Sequence, residues 1–129
     1  MTLDARQTIS AIVDVWNGAP TDRLGPLLAS TYRGHTLGAP NGERDRAGYA
    51  MAIEGYRKKN PSVAFGIVEQ FHSGDRCVTR LEARRSGDAT RPSSTSHGIN
   101  ISRFDEDGRL SEEWAIWSPW LDDEAPRVT

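Results

Sequence analysis

The sequence predicts an α+β domain in which a curved, cone-shaped antiparallel sheet wraps against three N-terminal helices. Apolar residues recur at helical spacing only as far as Asn60, and period-two alternation dominates from Val63 onward. Short Gly- and Asp-rich turns then separate the alternating runs. The 129 residues suit one domain, placed at residues 1–120, followed by an acidic, proline-containing tail at 121–129 that is expected to be loose.

Asp4 with Gln7 three residues on reads as a capping box, and Ile9, Ile12, Val13 and Trp16 follow at helical spacing until Asn17-Gly18. Thr21 is positioned to cap a short second helix with Leu24, Leu27 and Leu28, distorted by Gly25-Pro26. Thr31 to Thr36 is extended. Asp45 caps a third helix that turns Tyr49, Ala52, Ile53 and Tyr56 toward the core before Asn60-Pro61 ends it. Val63 to His72 and Arg76 to Arg85 form a hairpin across Ser73-Gly74-Asp75, and Thr95 to Ser118 forms a second one around Asp105-Glu106-Asp107-Gly108.

Sixteen basic against eighteen acidic residues give a net charge of −2, and the arginines are scattered among acids, which argues against a nucleic-acid partner. No apolar run approaches the roughly 20 residues that span a bilayer, and the N-terminus lacks the order of a signal peptide. No membrane association is expected, and a cytoplasmic location is. The single cysteine, Cys77, falls in a strand with no zinc-like spacing, so it reads as a small core residue and no metal site is expected.

Register counting sorts the strand residues by face. With a four-residue turn in the second hairpin, Ser102 opposes Ser111, Asn100 opposes Glu113 and Gly98 opposes Ala115. One face then carries Gly98, Asn100, Ser102, Glu113, Ala115 and Trp117, the other His97, Ile99, Ile101, Trp114 and Ile116. In the first hairpin Glu69 opposes Arg80 and Ile67 opposes Glu82, giving a face of Phe65, Ile67, Glu69, Phe71, Val78, Arg80, Glu82 and Arg84. This mixture of apolar and ionisable residues suits a partly polar cavity. If both faces share the concave side, Glu69, Glu82 and Glu113 converge there with Arg80, and carboxylates crowded in low dielectric acquire raised, coupled pKa values suited to acid/base work. The competing reading of Glu69 and Arg80 is an ordinary cross-strand ion pair. His35 and His97 read as structural residues. By alternation Trp117 floors the pocket, while Trp114 and Trp120 point away from it.

The element order, with Tyr32-x-x-His35, Asn60-Pro61, Gly74-Asp75-Arg76 and Arg103-Phe-x-x-x-Gly-Arg-Leu-x-Glu-Glu-Trp114, resembles SnoaL-like proteins of the nuclear transport factor 2-like superfamily. The resemblance implies a cone-shaped α+β barrel, commonly dimeric, around a pocket for a hydrophobic small molecule, with no cofactor in most members. Relatives in that superfamily include polyketide cyclases, ketosteroid isomerases, limonene epoxide hydrolase and non-catalytic binding proteins. Where the cyclases carry an acid/base aspartate this chain has Ala115, and for their Tyr-x-Asn it has Tyr32-Arg33-Gly34. Arg80-Leu81-Glu82 is similar to the Arg-x-Asp of the epoxide hydrolase. Asn100 aligns with the oxyanion-stabilising acid of the isomerases, and their base falls near Thr36.

These features lead to an expected acid/base enzyme of the cyclase or isomerase type. Glu113 moves the proton, Asn100 stabilises the oxyanion, and Arg80 with Glu82 orients the substrate. Tyr32, Tyr49, Tyr56, Glu69 and Trp117 complete the expected substrate-binding set. Two alternatives stand beside it: epoxide hydrolysis, with Glu113 activating water and Glu82 as the acid, and a non-catalytic binding or assembly homodimer.

Overall fold

The computed structural model describes residues 4–38 and 42–123. Helix α1 (Ala5–Trp16) begins at the expected capping box, in which Gln7 N donates to Asp4 Oδ1 at 3.0 Å and the Asp4 backbone N–H donates to the Gln7 side chain at 3.2 Å. The second helix is a 3-10 segment (Thr21–Leu27) containing Pro26. Thr21 does not cap it; its hydroxyl donates instead to Glu54 at 2.6 Å. Helix α2 (Arg46–Lys59) starts at Asp45, whose carboxylate accepts from Gly48 N at 2.9 Å.

The strands are β1 (Leu28–Thr36), β2 (Glu43–Arg44), β3 (Val63–Ser73), β4 (Arg76–Arg85), β5 (Ser94–Phe104), β6 (Leu110–Trp117) and β7 (Leu121–Asp122). They form one open sheet in the order β2-β1-β6-β5-β4-β3, with β7 paired to the start of β5. The sheet is mixed where a wholly antiparallel one was expected, because β1 lies parallel to β6. The first residues of the tail are tied down in β7, and residues 124–129 lie outside the described residues. Ile9, Ile12 and Val15 of α1 and Tyr49 and Ile53 of α2 pack with Leu28, Tyr32, Cys77, Phe104 and Leu110 of the sheet to make the core. No helix among the described residues is long and apolar enough to cross a membrane.

Two bulges alter the expected registers. In the β5–β6 hairpin Arg103 pairs with Glu112 and Phe104 with Leu110, so Ser111 is an extra residue whose hydroxyl donates to Arg103 O at 3.0 Å. Asn100 therefore opposes Ala115 instead of Glu113, and Gly98 opposes Trp117. The offset is two residues, so the faces are as expected even though the pairs are not. In the β3–β4 hairpin the pairing runs as expected from Ser73–Arg76 to Glu69–Arg80, then shifts at Val68, so that Ile67 opposes Leu81 and Gly66 opposes Glu82. A single-residue slip exchanges the faces: Phe65 turns inward, while Glu69 and Phe71 turn outward.

Helix α1 is anchored to β3 just before that bulge. The Asn17 side chain donates to Phe65 O at 2.8 Å and accepts from Phe65 N at 2.7 Å. Near its other end, Thr8 Oγ1 donates to Gly108 O at 2.7 Å.

Candidate functional site

Between the helices and the concave face of the sheet lies a cavity of about 350 Å³. Its walls are Ile9, Ile12, Val13 and Trp16 from α1, Tyr49 and Tyr56 from α2, Phe65 from β3, and Leu81 and Ala83 from β4. Its polar end is built by Thr36, Arg44, Asn100 and Glu113 around Ala115, and Ser96, Trp117, Ser118 and Trp120 complete the lining. Trp117 lies flat on Gly98, where a Cβ would come within 2.5 Å of the indole, and it meets Phe65 edge-on at 5.8 Å. Trp120 follows the end of β6, so strand alternation no longer governs it, and it joins the lining instead of pointing away.

Two ladder rows set the polar end. Gly34 of β1 pairs with Arg44 on one side and Glu113 on the other, and Thr36 pairs with Ala115, which pairs with Asn100. Glu113 is 3% exposed. Its Oε1 accepts from Tyr32 Oη at 2.6 Å and from Arg44 Nη2 at 3.5 Å, and among the described residues no hydrogen bond falls on Oε2. Burial raises the Glu113 carboxyl above the ordinary glutamate range, against the opposing pull of Tyr32 and Arg44. Burial and the neighbouring Glu113 charge likewise raise the phenols of Tyr32 and Tyr49, so Tyr32 keeps its proton and donates it in the hydrogen bond. The Arg44 guanidinium stacks 4.4 Å over the Tyr49 ring, and Tyr49 Oη accepts from Trp16 Nε1 at 2.9 Å. Asn100 Oδ1, Ser102 Oγ and Arg44 Nε are buried without a hydrogen-bond partner among the described residues.

The expected convergence of three carboxylates does not occur. Arg80, Glu82 and Glu69 all lie on the outer face, because the inward set of β4 is Cys77, Thr79, Leu81 and Ala83, and the Val68 bulge turns Glu69 outward. Arg80 Nε and Glu69 Oε1 form an exposed cross-strand pair at 2.9 Å, and Glu82 pairs with Arg84 at 2.9 Å. The epoxide reading thereby loses Glu82 as its acid. Tyr49, Tyr56, Trp117, Asn100 and Glu113 do reach the cavity, whereas Tyr32 is fully buried behind it and touches the site through Glu113. His97 stays on the outer face. His35 does too, stacked on Trp114 and 2.9 Å from Glu112.

Arg44 is the residue that the sequence reasoning missed. It sits on a two-residue strand beside a loop, with no periodicity to mark it. The available signal was Gly34, since a missing side chain opposite a short strand leaves room for a long one to cross. Among the described residues no group of three or more His, Cys, Asp or Glu side chains is placed to hold a metal ion.

The family model for the SnoaL-like domain matches residues 9–113. This chain is a SnoaL-like protein. Wild-type IdmH of Streptomyces antibioticus, described as a proposed polyketide cyclase, superposes with a TM-score of 0.76 at 22% identity, over 89% of this SnoaL-like chain and 92% of its own. A proposed SnoaL-like isomerase of Agrobacterium tumefaciens gives 0.69 at 17% identity, over 87% and 95%. A proposed ketosteroid isomerase of Kribbella flavida gives 0.69 at 15% identity, over 97% and 83%. No curated protein sequence matches the chain. At these identities the structural likeness establishes the cone fold of the SnoaL-like chain, and the chemistry has to be argued from its own residues.

Proposed function

We propose that the protein is a cofactor-independent acid/base enzyme of the cyclase or isomerase type, acting on a hydrophobic carbonyl compound held in the cone. The observation that carries this reading is the Glu113 carboxyl, buried at the polar end of an otherwise largely apolar cavity, with one oxygen held by Tyr32 and Arg44 and the other accepting no hydrogen bond of ordinary distance and angle among the described residues. Burial makes it a stronger base than an exposed glutamate, and the fixed oxygen restrains its rotation. Oε2 takes a proton from the carbon beside the substrate carbonyl. Asn100, whose amide lines the same end, donates to the developing enolate oxygen, and the Glu113 carboxylic acid then returns the proton to a second carbon. Among the described residues Glu113 is the one carboxylate in the lining, so a single residue serves as base and then as acid.

The test is deuterium exchange of 2-tetralone α-protons in D₂O, followed by NMR. Wild-type protein is expected to accelerate exchange by about tenfold or more over buffer, and Glu113→Gln to remove the acceleration. Equal rates for the two proteins defeat the reading.

The expected homodimer and cytoplasmic location belong to the same proposal. Val78 opposes Ile101, and Ile99 opposes Ile116, on the outer sheet face, giving an exposed apolar ladder with Phe71 at its edge. This face is read as the dimer contact; Ile99→Asp is expected to yield a monomer by analytical ultracentrifugation if so.

A further inference from the structure

Among the described residues Arg44 is an under-bonded cation. A guanidinium offers five N–H donors, and charge-assisted bonds to carboxylates normally close to about 2.7–2.9 Å. Here Nη2 stands 3.5 Å from Glu113, Nη1 stands 3.3 Å from the Thr36 hydroxyl, and Nε is buried with no acceptor among the described residues. The short bond at Glu113 belongs to Tyr32, so the carboxyl oxygen nearest Arg44 is already engaged. The guanidinium also lies over the face of Tyr49 and near the Tyr32 hydroxyl, neither of which is a charged acceptor.

The space beside it is shaped for a ligand's end. Ala115 sits between Thr36 and Asn100 in one ladder row, and its single methyl leaves a hollow that Arg44 and Glu113 border from the next row. Beyond the hollow the cavity is walled by aromatic rings, among them Trp16, Tyr56, Phe65 and Trp117. These rings pack tilted or edge to face on one another as one continuous aromatic surface, against which an apolar ring can lie, and among the described residues the polar end lacks an acceptor for a cation.

We propose that Arg44 is a ligand-contacting residue and that the natural ligand is a planar apolar molecule carrying an acidic oxygen, a carboxylate or a stabilised enolate, which sits over Ala115 and accepts from the Arg44 guanidinium. This rests on the cavity being the ligand site, as proposed above, but not on proton transfer by Glu113. Arg44 fixes which end of the molecule enters first. It also brings an enolisable acid's own oxygen to the polar end that the Glu113 carboxyl borders.

The experiment is a calorimetric titration with 2-naphthoate and with its methyl ester, on wild-type protein and on R44Q, R44K, E113Q and the outer-face control R80Q, each checked for folding by circular dichroism. Wild type and R80Q are expected to bind the acid about tenfold or more tighter than the ester, the value of one charge-assisted bond. R44Q is expected to erase that preference by weakening the acid alone, and R44K to retain part of it. E113Q, which removes the competing carboxylate, is expected to bind the acid at least as tightly as wild type; should R44Q fail to fold, R44K and E113Q carry the test. Loss of 2-tetralone exchange in E113Q with its acid preference intact separates this assignment from the catalytic one. The absence of saturable naphthoate binding, equal affinity for acid and ester, or a preference that survives in R44Q would overturn it.

Discussion

Gly34 and Arg44 are cross-strand partners, and the missing side chain of the first admits the guanidinium of the second. A Cβ at position 34 would collide with Tyr32 Oη and stand 3.3 Å from Arg44 Nε. The glycine thus holds together the hydrogen bond and the ion pair that converge on Glu113.

Gly34→Ala should therefore act on the site and on stability together. The methyl must displace the Tyr32 hydroxyl, and overpacking of this kind costs about 1–3 kcal/mol. Urea denaturation measures the cost, and carbonyl exchange should fall in the same variant. Gly55→Ala, in α2 with nothing near its added methyl, should instead stabilise by about 0.5–1 kcal/mol.

Tyr32→Phe removes the 2.6 Å donor from a buried carboxyl. A loss of about 1–3 kcal/mol is expected from leaving that group under-bonded. Because the Tyr32 hydrogen bond pulls the Glu113 carboxyl down, the variant should also move the acid limb of any pH–rate profile upward. Unchanged stability and an unmoved limb would mean that the bond contributes nothing.

The pH dependence of folding has a definite sign at Glu113. Between the ordinary glutamate value of 4.5 and its raised folded value, the native chain holds a proton that the unfolded chain has released. The protonated residue's contribution is present below 4.5 and is lost as pH rises through the folded value. Wild-type stability should therefore fall relative to Glu113→Gln as pH rises from 4.5 through the raised folded value, as urea midpoints at several pH values would record. Parallel curves for the two proteins would contradict the direction of the shift.

Neutralising the Glu69–Arg80 pair should be nearly silent. Both side chains are about half exposed, so Arg80→Gln is expected to cost less than about 1 kcal/mol and to leave carbonyl exchange unchanged. A large loss of activity would return Arg80 to the site.

The residues themselves explain how far the sequence could be read. The capping box at Asp4 and the Asp45 cap are local, and both helix starts were legible. The inward positions of Asn100, Glu113 and Trp117 survived a wrong register because the Ser111 bulge and a longer turn together shift the pairing by two. Val68 offered no such protection. Phe65, Ile67, Glu69 and Phe71 alternate without a break, so the one-residue bulge that turns the second half of that set outward leaves no trace in the pattern. On β4 the alternation of Arg80, Glu82 and Arg84 with Cys77, Thr79, Leu81 and Ala83 did hold the answer, since the uncharged set is the buried one. The parallel pairing of β1 with β6 is a long-range match that no local signal encodes.

The anchors of α1 bear on how a ligand is recognised. The helix that supplies one cavity wall is fastened near its start by Thr8 to Gly108 and just past its end by Asn17 to Phe65, so this wall is already in its final position before anything enters. Recognition then resembles casting in a finished mould: little ordering entropy remains to be lost on that side, and a ligand is selected by how well it matches the wall as it stands.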